Sequence, residues 1–176
     1  MGSNPILTLT GVKPMKEAKT IYAFSGSLDT SMRYAVYASS DRFLKHKHAW
    51  KAAHCLKYFG CRVYLVAPDL KTFEGSRVYP DLSALQGRVD VVVPCLRAEL
   101  IQDIVRKTVE CGAKAIWFQE QNWTPELDAA CVENEIEVVR GCVLKHKIYP
   151  RPFAYLNPCY WHGWKVNKVP GKYQRS

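Results

Sequence analysis

Two neighbouring serines follow a short apolar run and could form an anion-binding turn. The run covers residues 33–38 and breaks at Ser39 and Ser40, which an acidic residue follows. A basic stretch at 42–47 and a helical pattern over 49–59 come next. A helix start offers unpaired backbone N–H groups and a partial positive charge, and small residues let a phosphate approach them. The order of strand, turn and helix predicts phosphate binding through both serines, and a plain strand-to-helix turn is the alternative.

Three cations lie just beyond this turn. Arg42, Lys45 and Lys47 would pair with phosphate groups of a bound ligand, or they form a solvated basic face. His46 and His48 are one residue apart, but no further ligands can be identified, so a metal site is not predicted. The turn lacks the G-x-G-x-x-G pattern, which disfavours NAD as the ligand.

Strands alternate with helices over residues 32–145, which predicts a parallel sheet covered on both sides. The expected strand order is 2-1-3-4-5, with a short edge strand at 77–79 beside strand 2. The first and third strands are then neighbours, and a crevice opens at their carboxyl ends. Ser39 and Ser40 form one lip of this crevice, and residues 94–97 form the other. The predicted strands cover 33–38, 61–67, 89–94, 114–118 and 137–139, and the predicted helices cover 49–59, 98–111 and 124–134.

The composition indicates a single intracellular domain. The chain has 176 residues and seven cysteines without C-x-x-C spacing, so buried, reduced thiols are expected. No apolar run approaches the roughly 20 residues that cross a bilayer, and no signal-peptide pattern opens the chain. We therefore expect no membrane span and a location in the cytoplasm or mitochondrion rather than secretion.

Both ends of the chain are predicted to be extensions. Residues 1–31 include a candidate strand at 20–25 and are expected to pack on the domain edge. Residues 144–176 contain seven Lys and Arg and no Asp or Glu, so most of the net charge of +9 lies there. Prolines and many aromatic residues in 146–176 favour an extended arm that anchors the chain to a partner. Two alternatives stay open: an RNA or larger assembly, and the domain itself or a second copy in a homodimer.

Six segments, in this order, resemble those of the small CoA-binding domain proteins, which are related to the nucleotide-binding part of succinyl-CoA ligase. They read YAVYASS, YFGCRVYLVAP, VYPDLSAL, VDVVVPCLR, GAKAIWFQ and VVRGCV, and they span roughly residues 32–145. The resemblance implies an α/β, Rossmann-like, doubly wound parallel sheet of about five strands, with terminal extensions. It also implies that the ligand is coenzyme A (CoA) or an acyl-CoA.

The residues that the resemblance implies for CoA follow the ends of successive strands. The family usually has Gly where Ala38 stands, often Asn where Ala67 stands, and often Gly where Gln121 stands. Trp117 could equally be a core residue. The implied contacts are Ala38, Ser39 and Ser40 for the phosphates, Val66, Ala67 and Pro68 for adenosine, and Cys95, Leu96, Arg97, Trp117 and Gln119 for pantetheine.

Cys142 follows the last predicted strand, at a position where a cysteine recurs in the family. We hypothesise that it forms a mixed disulfide with the CoA thiol or lines the pantetheine end, and an inert buried thiol is the alternative. No Ser-His-Asp or paired-carboxylate arrangement can be assembled from the strand ends. The expected function is therefore non-catalytic CoA binding that protects or senses the thiol. The alternative is a structural subunit of a mitochondrial or ribonucleoprotein assembly, anchored by the basic arm.

Overall fold

A computed structural model describes residues 21–22, 29–119, 122–145 and 156, and the fold is that of these residues. They form an eight-stranded sheet with the order β1-β8-β7-β6-β2-β3-β5-β4. All neighbouring strands are parallel except the β4–β5 hairpin. The strands are β1 (Ile21–Tyr22), β2 (Arg33–Tyr37), β3 (Arg62–Val66), β4 (Thr72–Phe73), β5 (Ser76–Tyr79), β6 (Val91–Pro94), β7 (Ala115–Phe118) and β8 (Glu137–Arg140).

This topology confirms the predicted α/β class and the predicted order of the five main strands. Strands β3, β2, β6, β7 and β8 are the predicted strands 2, 1, 3, 4 and 5, and β5 lies beside β3 as expected. The sheet is larger than predicted because two-residue strands extend both edges. One of them, β1, falls inside the candidate strand of the N-terminal extension and pairs with β8. Residue 121 and nearly all of residues 1–28 and 146–176 lie outside the described residues, and so do the predictions made for them.

Helices cover both faces of the sheet because its central strands are apolar on both sides. Side chains alternate along β2, so Tyr34 and Val36 enter the apolar cluster under α2, whereas Ala35 and Tyr37 enter the cluster under α3 and α4. The helices are α1 (Ser40–Leu44), α2 (His48–Tyr58), α3 (Ile104–Cys111) and α4 (Pro125–Glu133), with short 3₁₀ helices at Leu82–Leu85, Ala98–Leu100 and Val143–Lys145.

Helix ends follow the local sequence signals. Gly60 and Gly112 end α2 and α3 with φ of 90° and 78°, a left-handed conformation that glycine adopts without strain. The Thr124 hydroxyl caps α4 by accepting a hydrogen bond from the Leu127 backbone N–H at 3.3 Å. Within the described residues, no helix is long and apolar enough to span a bilayer.

Two helices differ from the sequence predictions. The predicted helix 98–111 is broken into the 3₁₀ helix Ala98–Leu100 and α3, which turns Ile101 into the core and leaves Leu100 exposed. The helix that starts at the serine turn is the five-residue α1 and not the longer α2. Burial of Phe43 inside the α2-side cluster explains this extra helix, because it pins the segment against the sheet.

Candidate functional site

A crevice opens at the carboxyl ends of β2, β3 and β6, where the predicted topology placed it. Its volume is about 280 Å³. The strand side is formed by residues that directly follow these strands, and the opposite wall comes from the segment that leads into α3. The lining residues are Tyr37, Ala38, Ser39, Pro68, Leu96, Glu99, Leu100, Gln102, Asp103 and Lys107.

The serine turn contains a tight internal contact. The Ser39 hydroxyl donates a hydrogen bond to Asp41 Oδ1 at 2.5 Å and therefore does not cap α1. This hydrogen bond is the main reason that the pKa of Asp41 is lowered, and Lys45, Arg97 and Arg42 lower it further. A charged carboxylate thus lies next to the crevice, within reach of three cations.

Ser40 carries a buried hydroxyl without a partner in the part of the chain that the structure describes. Buried polar atoms are almost always hydrogen-bonded, so an orphaned hydroxyl indicates a missing polar group. The neighbouring Ser39 lines the crevice. The turn therefore fits a ligand that brings hydrogen-bonding oxygens to this point.

Ala38 occupies the position where the resembling family usually has glycine. It is fully buried, and its backbone N–H already donates to the Val66 carbonyl at 3.0 Å. Ala38 thus lines the crevice without a spare N–H donor. Val66 and Ala67 are also fully buried, whereas Pro68 is exposed at the crevice.

A lysine on α3 is the crevice residue that sequence reasoning missed. Lys107 Nζ donates to the Tyr37 hydroxyl and to Asp81 Oδ1, both at 2.9 Å. Burial opposes both charges, but the hydrogen bonds within this trio outweigh it, so the pKa of Asp81 is lowered and that of Lys107 is raised. An ammonium group has three donors, and these two contacts leave the third for the crevice. The only signal in the sequence is that Lys107 lies three residues after the core residue Ile104.

Four further predicted residues lie beneath the carboxyl edge, on the α2 side. Cys95, Trp117 and Cys142 belong to the apolar cluster under α2 and do not line the crevice. The indole of Trp117 donates to the Gly141 carbonyl at 2.8 Å. Gln119 Oε1 accepts hydrogen bonds from the Val143 backbone N–H and from His48 Nε2, each at 3.0 Å. The structure brings these residues together as a support under the strand ends.

The predicted basic residues lie around the rim. Arg42 is half-buried, whereas Lys45, Lys47 and Arg97 are exposed, and none of the four lines the crevice. Arg42 and Arg97 act electrostatically on Asp41. Lys45 and Lys47 project from the connection between α1 and α2.

Comparison with known proteins gives one family and several related structures. A family model described as a CoA binding domain matches residues 33–147. A conserved hypothetical protein from Pyrococcus furiosus is 22% identical, with a TM-score of 0.55 over 62% of this chain and 92% of that chain. A hypothetical protein from Pyrococcus horikoshii is 21% identical, with a TM-score of 0.55 over 73% and 94% of the two chains. A Thermus thermophilus structure is 21% identical, with a TM-score of 0.55 over 64% and 85%. At these identities the structures show a shared fold, and no curated protein matches the chain.

Proposed function

Because this chain belongs to the CoA binding domain family, we propose that it binds CoA or an acyl-CoA without catalysing a reaction. The binding domain is residues 32–145, and the ligand lies across the carboxyl edge of the sheet. One observation carries the proposal beyond family membership: among the residues that the structure describes, the buried Ser40 hydroxyl has no partner, and it follows Ser39, which lines the crevice at the β2–β6 switch point. A phosphate oxygen would supply that partner.

The residues around the crevice suggest how each part of CoA is held. Ser39 and Ser40 would bind the phosphates, with the charges of Arg42 and Arg97 close by. Pro68 offers an exposed apolar surface for adenosine. Leu96, also at the crevice, would contact pantetheine. Ala38, Val66 and Ala67 shape the floor from beneath.

In this proposal, the other predicted residues support CoA binding without contacting the ligand. The half-buried and exposed cations Arg42, Lys45 and Lys47 raise the local potential for an anionic ligand. Trp117 and Gln119 fix the ends of β7 and β8 through their hydrogen bonds.

Titration calorimetry with CoA and with dephospho-CoA tests the proposal. We expect saturable binding of CoA and weaker binding of dephospho-CoA, because the 3′-phosphate adds charge that the surrounding cations attract. Adenosine monophosphate serves as the control for a bare nucleotide site and should bind less tightly than either. Absence of heat with both CoA forms would contradict the proposal.

Cys142 is the residue proposed to sense or protect the CoA thiol. It is 7% exposed and shares a cluster with Cys95. Attack of its thiolate on CoA disulfide would form the protein–CoA bond and release one CoA thiol. After incubation with CoA disulfide, the intact mass of the protein measured without reductant should show one CoA adduct, which dithiothreitol removes. The Cys142→Ser variant should lack the adduct and Cys131→Ser should keep it, and an unchanged adduct in Cys142→Ser would exclude this role.

A second candidate function is a structural subunit of a mitochondrial or ribonucleoprotein assembly. Two features of the turn favour it: Asp41 already occupies the first turn of α1, and the Ala38 N–H is already used. The basic arm, residues 146–176, would then anchor the domain to its partners. Co-purification in a megadalton particle, together with no calorimetric response to CoA, would support this candidate over the first.

A further inference from the structure

The first half of the domain has a strongly basic surface outside the crevice. Residues 42–79 contain eight Lys and Arg against two Asp and Glu, a formal charge of +6. Residues 81–143 contain six Lys and Arg against eleven Asp and Glu, a formal charge of −5. Strands β3, β4 and β5 lie towards one edge of the sheet, and β6, β7 and β8 lie towards the other edge, with β2 between them. Positive and negative charge are therefore concentrated in different halves of the domain.

The basic side has a defined face, formed by α2 and the β4–β5 hairpin. Lys45, Lys47 and Lys57 are exposed along it. Lys57 Nζ donates to the Ser76 hydroxyl at 3.1 Å, which joins the end of the helix to the hairpin. We call this surface, from Lys45 to Lys57 with the hairpin beside it, the α2 face.

A row of three aromatic rings runs along the α2 face. Trp50 and His54 are four residues apart within α2, which places them on one side of the helix, and His46 lies in the turn just before α2. The His46 and Trp50 ring centroids are 4.6 Å apart, and those of Trp50 and His54 are 4.3 Å apart. His46 has a φ of 49°, a conformation that is uncommon outside glycine, and it is exposed. The row therefore ends in an exposed imidazole ring between Lys45 and Lys47.

The acidic residue beside the row is already engaged. Glu74 Oε1 accepts from the Trp50 indole at 2.8 Å, and Glu74 Oε2 contacts His54 Nε2 at 2.7 Å. Glu74 and Gly75 both have positive φ, so the tight hairpin turn directs this carboxylate at the rings. The two contacts hold the rings of Trp50 and His54 in place, and the Glu74 carboxylate is directed at these rings.

We propose that the α2 face binds single-stranded nucleic acid. Lysines neutralise phosphates, and bases stack on aromatic side chains, including histidine, in single-strand recognition. An acidic peptide would need the lysines but would have no use for the ordered rings. The strands of the acidic half lie on the other side of β2, so its negative charge would favour binding of the strand on the basic side. None of these rings or lysines lines the crevice, and the rings and Lys57 have no part in the proposed CoA site, to which Lys45 and Lys47 contribute only charge.

Fluorescence anisotropy of the full chain with labelled single strands of about 20 nucleotides tests the inference. RNA and DNA of one sequence are compared, to distinguish the two sources of the same chemistry. Lys47→Glu and Lys57→Glu should each weaken binding about fivefold or more at about 50 mM salt. Lys114→Glu, which changes an exposed lysine in front of β7 by the same charge, is the matched control and should change binding by less than about twofold. Thermal unfolding of each variant confirms that it is folded.

Two further measurements separate the strand from other polyanions. Each phosphate contact contributes roughly 0.7 to the slope of log affinity against log salt for a single strand. Replacing Lys45, Lys47 and Lys57 together by Gln should therefore lower the magnitude of this slope by about 2. His46→Ala, which keeps the lysines, should weaken binding about fivefold or more through lost stacking. The inference would be overturned if Lys114→Glu weakened binding as much as Lys47→Glu and Lys57→Glu, or if the triple variant kept the salt slope of the wild type. It would also be overturned if His46→Ala bound with unchanged affinity, or if polyglutamate bound as tightly as the single strand.

Discussion

The side chain of Gln119 binds the backbone of Val143 at the carboxyl edge of the sheet, with 3.0 Å between the Val143 nitrogen and Gln119 Oε1. The same oxygen accepts from His48 at the start of α2, and Gln119 Nε2 donates to the Trp117 carbonyl at 3.2 Å. One buried amide therefore connects β7, the segment after β8, and α2. A residue that the resemblance implied as a ligand contact thus has a structural role at the same edge.

Replacement of Gln119 by Ala should destabilise the fold. It leaves the buried Val143 N–H without its acceptor and removes the partner of His48, so the free energy of unfolding should fall by about 2 kcal/mol. Urea denaturation followed by circular dichroism measures the change. Gln102→Ala removes the same side chain from an exposed position and should change stability by less than about 0.5 kcal/mol. Equal stability of the two variants would contradict the role assigned to Gln119.

Ser40→Ala should separate stability from ligand affinity. Without ligand, loss of an unsatisfied buried hydroxyl removes a desolvation penalty, so stability should stay equal or rise by up to about 1 kcal/mol. With CoA, the lost hydrogen bond to a charged phosphate should weaken binding about tenfold. Thermal unfolding with and without CoA, together with calorimetry, gives both values. A variant that is less stable and binds CoA normally would show that the hydroxyl serves the fold alone.

His48 should make stability depend on pH near neutrality. Burial lowers its pKa from the ordinary value of 6.5, although the hydrogen bond to Gln119 opposes this shift. The unfolded chain then binds a proton first as the pH falls below 6.5, so stability is complete above that pH and decreases towards the lowered pKa. The slope should reach up to about 1.4 kcal/mol per pH unit.

The His48→Gln variant provides the comparison. Its amide can still donate to Gln119 but does not titrate. Urea denaturation between about pH 5.5 and 7 should show a wild-type stability that falls relative to the variant as the pH decreases. A difference between the two proteins that is independent of pH would mean that His48 does not titrate in this range.

Lys107→Met tests the polar trio in the crevice. The variant keeps the apolar stem but leaves Asp81 and the Tyr37 hydroxyl without the ammonium, so stability should fall by about 1 kcal/mol, since solvent partly screens the pair. An uncompensated carboxylate near the crevice should also weaken binding of anionic CoA. The double variant Lys107→Met/Asp81→Asn should recover part of both losses. If it is no better than the single variant, the Asp81 charge is not responsible.

Apart from Cys142, which is proposed to react with CoA disulfide, the cysteines of the described residues should react slowly in the folded protein. All six are buried: Cys55, Cys61, Cys95, Cys111, Cys131 and Cys142. Burial, assisted by Cys142, raises the pKa of Cys95 to about 12, and burial with nearby Asp128 raises that of Cys131 to about 12. In a Cys142→Ser, Cys159→Ser background, Ellman's reagent at pH 8 should modify the remaining five thiols only slowly, and urea should release all five. Rapid modification of the native protein would contradict the described burial.

Local pattern was sufficient for the framework. The runs 33–38, 61–67 and 89–94 are apolar on both faces, which only strands covered on both sides tolerate, and the order of the main strands followed from crossover rules. Thr124, Pro125 and Gly112 marked helix ends through capping chemistry that involves only near neighbours. Helix α1 was not predicted, because its one anchor is the burial of Phe43 against distant residues.

The crevice shows what the sequence could not determine by itself. The sequence placed Ser39, Pro68 and Leu96 at one edge, because each directly follows a parallel strand. Packing of α3 alone decided that Lys107 would meet Tyr37, seventy residues earlier. Side chains of one strand alternate between two faces, and only tertiary packing decides what covers each face. For that reason Trp117 and Cys142 lie in the α2-side cluster, while Leu96 and Tyr37 face α3 and the crevice.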